Sequence, residues 1–395
     1  MTLPLSDIKV ADFSQGLAGP LVSMHMGDLG ADVIKLEPPE GDNRDMMPIP
    51  GAKDMSIGFI TVNRNKRSMV LDITKPKGRE LAYALVRWAD VVVMNMRIGA
   101  RQRRGLTYED LAAVNPRLIY VSVTAYGELG PEADLGGVDI VVQARAGDQE
   151  GRRPAGGPPP SPTNMVHYDM ATPWLALTGV LIALRERDHT GLGQKVEVNL
   201  LQTALALQPR QMTRIAGSDL AFPAMAPRSS PSTYLCSDGR YIYAPSLGER
   251  WNGFCQALGL THLATDPRFD TLEKRFQGAK ELSEILAGHF ATRPAAEWEA
   301  LLKAKGIGVS MVKTYSEVHE DPQVIANHMI LQYEQPGVGL VKLVNFPVRM
   351  SGIPANELGV HKPFPTKGEH TDEVLRELGH TPQEIAPLRA EGVIA

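Results

Sequence analysis

Three short segments carry residue types whose spacing could bind or transform a ligand. A loop reading SQGLAGP, from Ser14 to Pro20, follows a β-rich run and precedes a helical pattern. Strand-to-helix loops of this kind form ligand sites in α/β proteins. The alternative interpretation is a tight turn whose geometry requires the glycines. Two basic clusters follow, NRNKR over Asn63 to Arg67 and four arginines within Arg97 to Arg104. Arginine offers forked donors to phosphate, and a solvated surface is the alternative interpretation of both clusters.

Several common catalytic signatures are missing from the sequence. It contains no GxGxxG, P-loop, GxSxG or HExxH motif, which argues against the usual dinucleotide, nucleotide, hydrolase and zinc-protease sites. A nicotinamide-dependent dehydrogenase would need the glycine fingerprint after the first strand, and SQGLAGP is a poor match. Cys236 and Cys255 are the only cysteines, and they fit neither a disulfide framework nor a zinc site. We therefore predict no metal site and no tightly bound cofactor.

Composition indicates a globular protein in a reducing compartment. The 395 residues are 43% hydrophobic and 22% charged, with a formal charge of −4, so no global field attracts nucleic acid. The longest apolar run, Trp174 to Leu184, is about half of the roughly 20 residues that span a bilayer. The first residues, MTLPLSDIKV, lack a basic region followed by a long apolar core. We expect a cytoplasmic protein without nucleic-acid or membrane partners.

The elements that must position these segments alternate between strands and helices. The strand candidates are Ile8 to Phe13, Asp32 to Leu36, Ser68 to Ile73, Val91 to Met94, Leu118 to Val123 and Lys195 to Leu200. The helix candidates are Leu21 to Leu29, Lys77 to Trp88, Thr107 to Val114 and Met170 to Arg187, with Thr172 and Pro173 in the first turn of the last. Near-continuous hydrophobicity is typical of parallel strands covered on both faces. The pattern predicts an α/β fold with a Rossmann-like, doubly wound large domain.

A second, smaller α+β domain is predicted from a change in composition. Tyr234 to Cys236 and Tyr241 to Tyr243 flank an Asp-Gly turn, which is a hairpin signal. We predict a large domain over 1–200, a linker over 201–225 and a small domain over 226–325. Residues 326–395, with a helix near Thr371 to Leu378, are expected to return to the large domain.

Six sequence blocks resemble the class III CoA-transferase family, also called the CaiB/BaiF family. They are LSDIKVADFSQGLAGP, LGADVIKLEPPEGDNR, NRNKRSMVLDI, ADVVVMNMR, NPRLIYVSVTAYGELGP and TGLGQKVEVNLLQ. Their order along essentially the whole chain is the specific feature, and no single block decides the matter. The resemblance implies an interlocked homodimer that acts on acyl-CoA and small carboxylic acids.

The family's nucleophile is an aspartate before a small-residue helix and a TGxGQ turn, which Asp169 matches in HYDMATPWLALTGVLIALRERDHTGLGQ. Without the resemblance, a turn or helix cap would be the simpler interpretation of this aspartate. The resemblance implies that Asp169 forms a mixed anhydride and then an aspartyl-CoA thioester while CoA passes to a free acid. We also expect backbone N–H groups at the helix start to keep Asp169 ionised and to bind the developing oxyanion. His167 and Tyr168 either contact substrate or serve packing.

The resemblance also assigns positions that line the CoA cleft. They are Ala18, Leu71, Asp72, Ile73, Thr74, Lys75, Asn95, Met96, Arg97 and Arg103. Among these, Arg97 and Arg103 are predicted to bind phosphate, while Lys75 before Pro76 is also compatible with a turn.

Departures from the family pattern bear on the substrate. Formyl-CoA:oxalate transferases have glutamine where this chain has Leu17, lysine where it has Thr124, and a glycine-rich loop where it has AFPAMAPRSSPSTY over 221–234. A larger or less charged acid than oxalate is therefore expected. The related α-methylacyl-CoA racemases read GHD where this chain reads Gly137-Val138-Asp139, and their glutamate matches Gly248. The alternatives are a racemase-type enzyme and a non-catalytic CoA-binding protein on the same fold.

Overall fold

The structure is a computed structural model that describes residues 3–154, 156–217, 232–245, 251–354 and 357–395. Its strands are β1 (Lys9–Asp12), β2 (Asp32–Glu37), β3 (Lys66–Val70), β4 (Val91–Met94), β5 (Ile119–Thr124), β6 (Lys195–Asn199), β7 (Thr233–Leu235), β8 (Tyr241–Tyr243), β9 (Ser310–Met311), β10 (Ile330–Gln335) and β11 (Gly339–Val344). Its first ten helices are α1 (Ala18–Asp28), α2 (Ile57–Val62), α3 (Pro76–Trp88), α4 (Ile98–Arg104), α5 (Tyr108–Val114), α6 (Asp139–Arg145), α7 (Asp148–Gly151), α8 (His167–Thr190), α9 (Leu200–Ala206) and α10 (Pro209–Met212). The remaining described helices are α11 (Trp251–Leu258), α12 (Thr261–Ala264), α13 (Leu272–Gln277), α14 (Ala279–Phe290), α15 (Ala295–Ala304), α16 (Tyr315–His319), α17 (Pro322–Ala326), α18 (Thr371–Glu377) and α19 (Pro382–Ala390).

Six parallel strands form the central sheet in the order β3-β2-β1-β4-β5-β6. This is the strand order of a Rossmann fold, so the predicted doubly wound α/β architecture is confirmed. The observed bounds of β4 equal the predicted ones, whereas β3 starts two residues earlier than predicted and ends at Val70. Because all these strands run in one direction, their carboxyl ends and the loops that follow them share one edge.

Helices cover both faces of this sheet. Successive strand residues point to opposite faces, so Val10 and Val91 pack with α1 and α8, while Ala11 and Val92 pack with α3 and the C-terminal helices. The predicted capping pair at Thr107 is present, since its hydroxyl accepts a hydrogen bond from the Asp110 N–H.

Helix α8 is longer than its sequence pattern predicted. It begins at His167, so Thr172 and Pro173 lie in its second turn, whereas the sequence pattern placed them in the first turn. The reason is a cap from outside the helix: the Asp139 carboxylate accepts hydrogen bonds from the N–H groups of Tyr168 and Asp169. At the other end, Gly191 has φ +74°, the left-handed conformation that ends a helix.

The described chain divides into two compact units. One unit contains the described residues of 1–149, 161–222 and 323–395, and the other contains the described residues of 150–160 and 223–322. Residues 150–160 were predicted to belong to the large domain, yet they group with the second unit. At the start of the predicted linker 201–225, α9 packs against α8, and the Thr203 and Thr172 hydroxyls hydrogen-bond at 2.9 Å.

The second unit is built around a three-stranded antiparallel sheet in the order β7-β8-β9. The predicted hairpin is present, with Gly239 at φ +77° in its turn. Phe290 and Trp298 are fully buried in the apolar core of this unit.

The C-terminal segment packs on the β3 edge of the large unit. The Gly368 N–H donates to the Ser68 hydroxyl at 2.8 Å, and Ile394 forms a β-bridge with Leu71. Among the described residues, no helix has both the length and the hydrophobicity that crossing a bilayer requires.

Candidate active site

The basic cluster NRNKR does not form a phosphate site. Arg64 makes two hydrogen bonds of 2.7 Å to Asp28, and Lys66 donates to Asp12 at 2.9 Å. Arg64, Lys66 and Arg67 all have exposed fractions of 6% or less. Both interpretations of this cluster, phosphate binding and a solvated face, are therefore wrong: its cations neutralise carboxylates inside the fold.

The SQGLAGP loop is held by this buried charge network. Lys35, which is fully buried, donates to the Ser14 carbonyl and to Asp42, and Asp42 accepts from the Gly16 N–H at 3.1 Å. The Asn95 side chain binds both the N–H and the carbonyl of Gln15, at 2.9 and 2.6 Å. These contacts satisfy the backbone of the loop, so its ligand-facing atoms are preorganised.

The network is tightly coupled by charge. Burial alone would raise the pKa of Asp12, but Lys66 and Lys35 hold it well below its usual range. Burial lowers the pKa of Lys66 to about 8, against the attraction of Asp12. Asp12 therefore stays ionised and keeps both lysines beneath the loop.

Asp169 lies in the first turn of α8 and faces a cavity of about 360 Å³ at the carboxyl edge of the sheet. The cavity is lined by Gln15, Gly16, Leu17, Ala18, Asn95, Met96, Arg97, Ile98, Val123, Thr124, Ala125, Ala133, Leu135, Gly136, Gly137, Val138, Asp169 and Leu200. Among these described residues, Asp169 is the one carboxylate and Arg97 the one cation. The volume is within the roughly 300–1,000 Å³ of ligand pockets.

The electrostatic environment of Asp169 is opposite to the one expected from a helix start. Burial, with a further contribution from the charge of Asp139, raises the pKa of Asp169 to about 6. The helix N–H groups that were expected to bind an oxyanion are occupied, because Asp139 accepts from Tyr168 N at 2.6 Å and from Asp169 N at 3.0 Å. Pro173 also lacks the N–H that would bond to the Asp169 carbonyl in a regular helix.

A second, larger cleft of about 770 Å³ adjoins the Asp169 cavity. Six residues line both spaces: Gln15, Gly16, Asn95, Met96, Arg97 and Val138. The far wall of the cleft contains Leu71 to Thr74, the Glu37 to Glu40 turn and Arg104. The two spaces form one path that ends at Asp169.

Most of the predicted cleft residues lie along this path. Ala18 lines the Asp169 cavity, Leu71, Asp72, Ile73 and Thr74 line the cleft, and Asn95, Met96 and Arg97 line both. Asp72 is fixed by Thr74, whose N–H and hydroxyl both donate to its carboxylate, and these hydrogen bonds lower its pKa.

Two of the predicted residues lie outside the lining. The Lys75 amine donates to the carbonyls of Glu391 and Gly392, at 2.7 and 2.9 Å, and so ties α3 to the C-terminal segment. Arg103 is exposed on α4 and lines neither space. Its neighbour Arg104 faces the cleft instead, because successive residues of a helix point in different directions. Arg101, also in this cluster, is buried against Glu128.

The resemblance assigned no role to Gln15, Arg104 or Asp139, although Arg104 belongs to the basic cluster that was considered for phosphate binding. Gln15 belongs to the loop that was singled out, and its position after a strand was the available signal. Asp139 is 1% exposed and opens α6, and no local pattern connected it with a helix that begins 28 residues later. His167 is exposed and Tyr168 is buried, and neither lines the cavity.

The structure describes some of the residues at which this chain departs from formyl-CoA:oxalate transferases and from racemases. Leu17 and Thr124 both line the Asp169 cavity, so the departures from formyl-CoA:oxalate transferases lie at the site itself. Val138, where racemases have histidine, lines both spaces. Gly248 lies outside the described residues, as does most of 221–234. Within the described part of the chain, no cluster of three or more histidine, cysteine or acidic side chains could hold a metal ion.

Comparison with known proteins gives consistent similarities over nearly the whole chain. A family model described as CoA-transferase family III matches residues 5–371. The chain is 31% identical to succinyl-CoA:glutarate CoA-transferase from Mus musculus over 99% of its length and 90% of that protein. It is also 31% identical to formyl-CoA:oxalate CoA-transferase from Streptomyces avermitilis, with both chains covered fully.

One solved structure is also similar to this chain over nearly its whole length. The CAIB/BAIF family protein from Brucella suis superposes with a TM-score of 0.84 at 30% identity, over 96% of this chain and all of that one. The ordered sequence blocks, the Rossmann sheet and the matching family model agree, and the chain belongs to CoA-transferase family III, the class III CoA-transferases.

Proposed function

We propose that this protein transfers CoA from an acyl-CoA thioester to a free carboxylic acid, with Asp169 as the nucleophile. The observation that carries the proposal is the position of Asp169, which is the one carboxylate among the described residues that line the cavity. That cavity continues into a cleft with arginines along its length. Relatives whose printed names are CoA-transferases support this class of reaction.

The chemistry needs a carboxylate and no metal or redox group. An Asp169 oxygen attacks the thioester carbonyl, which forms a mixed anhydride and releases the CoA thiolate. The thiolate then attacks the aspartyl carbonyl, so that donor acid departs and an aspartyl-CoA thioester remains. The acceptor carboxylate then attacks the aspartyl-CoA thioester, which forms a second mixed anhydride and releases the CoA thiolate. The thiolate attacks the acyl carbonyl of the acceptor, so that the new acyl-CoA forms and the Asp169 carboxylate is restored. Keeping the thiolate in the cleft makes each return step effectively intramolecular.

The cleft supplies the groups that CoA needs. Arg97 and Arg104 line it, and among the described residues neither forms a salt bridge. Arg104 donates one hydrogen bond to the Ala100 carbonyl at 3.3 Å, and its remaining donors, with those of Arg97, are proposed to bind phosphate oxygens. With the phosphates there, the thiol end of the pantetheine arm would extend past Gln15 and Met96 towards Asp169.

The acceptor is proposed to be larger or less charged than oxalate. Leu17 and Thr124 place an alkyl group and a hydroxyl where a small dianion would need stronger polar contacts. Arg97, the single cation of the described lining, is already assigned to a CoA phosphate, so this lining offers no further cation to a small dianion. That suits a monocarboxylate or an acid with widely spaced carboxylates, whose charges need not both lie at this lining. The relative from Mus musculus carries glutarate, an acid of the second kind, in its printed name.

The remaining proposals follow from the family. We infer a homodimer with interlocked subunits, a cytoplasmic location and no tightly bound cofactor. Size-exclusion chromatography with light scattering tests the dimer, and a monomer at micromolar concentration would refute it.

The decisive experiment detects the covalent enzyme. The protein is incubated with a panel of acyl-CoAs and examined by intact-mass spectrometry for a hydroxylamine-sensitive adduct, which is then mapped to a residue. We expect Asp169→Ala to abolish the adduct and the transfer while CoA binding persists. The matched control is Asp188→Ala, which removes an exposed carboxylate from the same helix. Normal turnover by the Asp169 variant would reject the mechanism.

The same preparation separates the alternatives. A racemase-type enzyme would exchange the α-proton of a 2-methylacyl-CoA with deuterium from solvent without an adduct. A CoA-binding protein without activity would bind CoA and show neither signal.

A further inference from the structure

Asp139 is a buried carboxylate without a cationic partner. Its side chain is 1% exposed, and among the described residues no lysine or arginine forms a salt bridge with it. One oxygen accepts from the N–H groups of Tyr168 and Asp169, at 2.6 and 3.0 Å, and the other accepts from the Gln143 amide at 2.6 Å. Three neutral donors therefore hold a negative charge at the start of the helix that carries the nucleophile.

Gln143 fixes the orientation of this carboxylate. Its amide also donates to the Thr163 carbonyl at 3.1 Å and accepts from the Thr163 N–H at 2.8 Å, so it cannot rotate freely. This clamp joins α6 to the segment that leads into α8. The hydrogen bonds of Asp139 and Gln143 therefore fix the position of this carboxylate relative to the start of α8.

We propose that Asp139 is a positioning residue that fixes the first turn of α8 and keeps a second negative charge beside Asp169, so that acylation of Asp169 relieves a repulsion. This inference rests on the proposed function. It assigns Asp139 no contact with substrate, since the residue is not part of the cavity lining.

The charge balance of the half-reaction shows where the repulsion is relieved. The free enzyme and R–CO–S–CoA exchange one C–S bond for another, giving enzyme–CO–S–CoA and R–COO⁻. The negative charge that stood on Asp169 leaves with the donor acid, and the aspartyl thioester is neutral. Any interaction that destabilises the ionised Asp169, and leaves the neutral thioester alone, therefore favours the loaded enzyme.

The size of the effect is bounded by the acidity of Asp169. Burial is the larger cause of its raised pKa of about 6, and Asp139 is the second. Because Asp139 is the smaller of the two causes, removing its charge should change the loading equilibrium constant by about tenfold at most. Arg97 is the other charged group of the described lining and acts in the opposite direction, while His167 is exposed at the helix start.

The test measures the equilibrium of the half-reaction, with the acyl-CoA and the free acid in each mixture carrying the same acyl group. Acetyl-, succinyl- and isovaleryl-CoA are each incubated with their own free acid, and the fraction of enzyme present as aspartyl-CoA thioester is read by intact mass. Asp139→Asn removes the charge and retains an oxygen for the two helix N–H groups. Asp139→Ala removes both. We expect the loading equilibrium constant to fall about three- to tenfold in both variants.

The pH dependence of loading supplies a readout that a purely structural role would not move. The loading rate of the wild-type protein should rise through an inflection near pH 6. In Asp139→Asn the inflection should move to lower pH. An unchanged equilibrium constant and inflection in a folded Asp139→Asn protein would overturn the proposal. Normal loading in Asp139→Asn together with lost loading in Asp139→Ala would also overturn it, because the charge of Asp139 would then have no effect.

A folding defect in the variants does not remove the test. In that case the wild-type profile can still refute the proposal, because an inflection near an ordinary aspartate value would show that no repulsion acts on Asp169. Failure of the proposed function has a different signature: no acyl-CoA of the panel loads the wild-type protein.

Discussion

Replacing Asp169 by asparagine should stabilise the folded protein at neutral pH. The pKa of this carboxyl rises from 3.8 to about 6 on folding, so its ionised form is disfavoured in the native state. The change of about two units corresponds to about 3 kcal/mol, and the partial exposure of the side chain reduces this to about 2 kcal/mol. Asparagine has nearly the same shape and carries no charge.

The sign of the effect depends on pH. Below pH 3.8 the carboxyl is protonated in both folded and unfolded chains, and Asp169 carries no cost. Between pH 3.8 and about 6 the folded state binds more protons, so the wild-type protein loses stability as the pH rises. The advantage of Asp169→Asn should therefore be small near pH 4 and reach about 2 kcal/mol at pH 8.

Chemical unfolding at fixed protein concentration measures this difference. Urea curves for wild type, Asp169→Asn and the control Asp188→Asn are recorded from pH 4 to pH 8 by tryptophan fluorescence. The control removes an exposed charge from the same helix and should shift the midpoint little at any pH. Equal stability of Asp169→Asn and wild type at pH 8, or an advantage that does not vary with pH, would refute the reasoning.

The remaining predictions concern the cleft and the buried charges. Arg104→Ala should weaken CoA binding about three- to tenfold by calorimetry, and Arg103→Ala should weaken it less; the reverse order would restore the original assignment. Lys66→Met should cost about 3 kcal/mol in urea unfolding because it leaves Asp12 buried without its partner, and a cost below about 1 kcal/mol would contradict the network. Gly78→Ala should lower both the melting temperature and CoA affinity, since a Cβ there would lie 1.9 Å from a carbonyl oxygen of the cleft wall; normal behaviour would show that the helix shifts freely.

The strands of the sheet could be predicted because their signal is local. Runs such as Val91 to Met94 are apolar on both faces, and a parallel sheet covered by helices is the structure that buries both. The capping pair at Thr107 and the hairpin at Gly239 were also predictable, since each depends on residues within a few positions.

The basic clusters could not be interpreted from local sequence. Arg64 finds its carboxylate 36 residues earlier, and Arg67 binds Glu377, 310 residues later. Whether such a residue is buried and paired or solvated depends on what the fold brings against it. The sequence alone left both phosphate binding and a solvated surface open. The tertiary structure showed a third arrangement, in which these cations pair with carboxylates inside the fold.

The sequence by itself determined the six strands of the parallel sheet, the placement of the SQGLAGP loop after β1 and, through ordered family blocks, the proposal of Asp169 as the nucleophile. These features are encoded in periodicity and in residues close along the chain. Tertiary structure alone decided that Asp139 caps α8, that the pKa of Asp169 lies near 6 and that Arg104 rather than Arg103 faces the cleft. Burial and through-space charge set these properties, and both arise only when distant segments pack together.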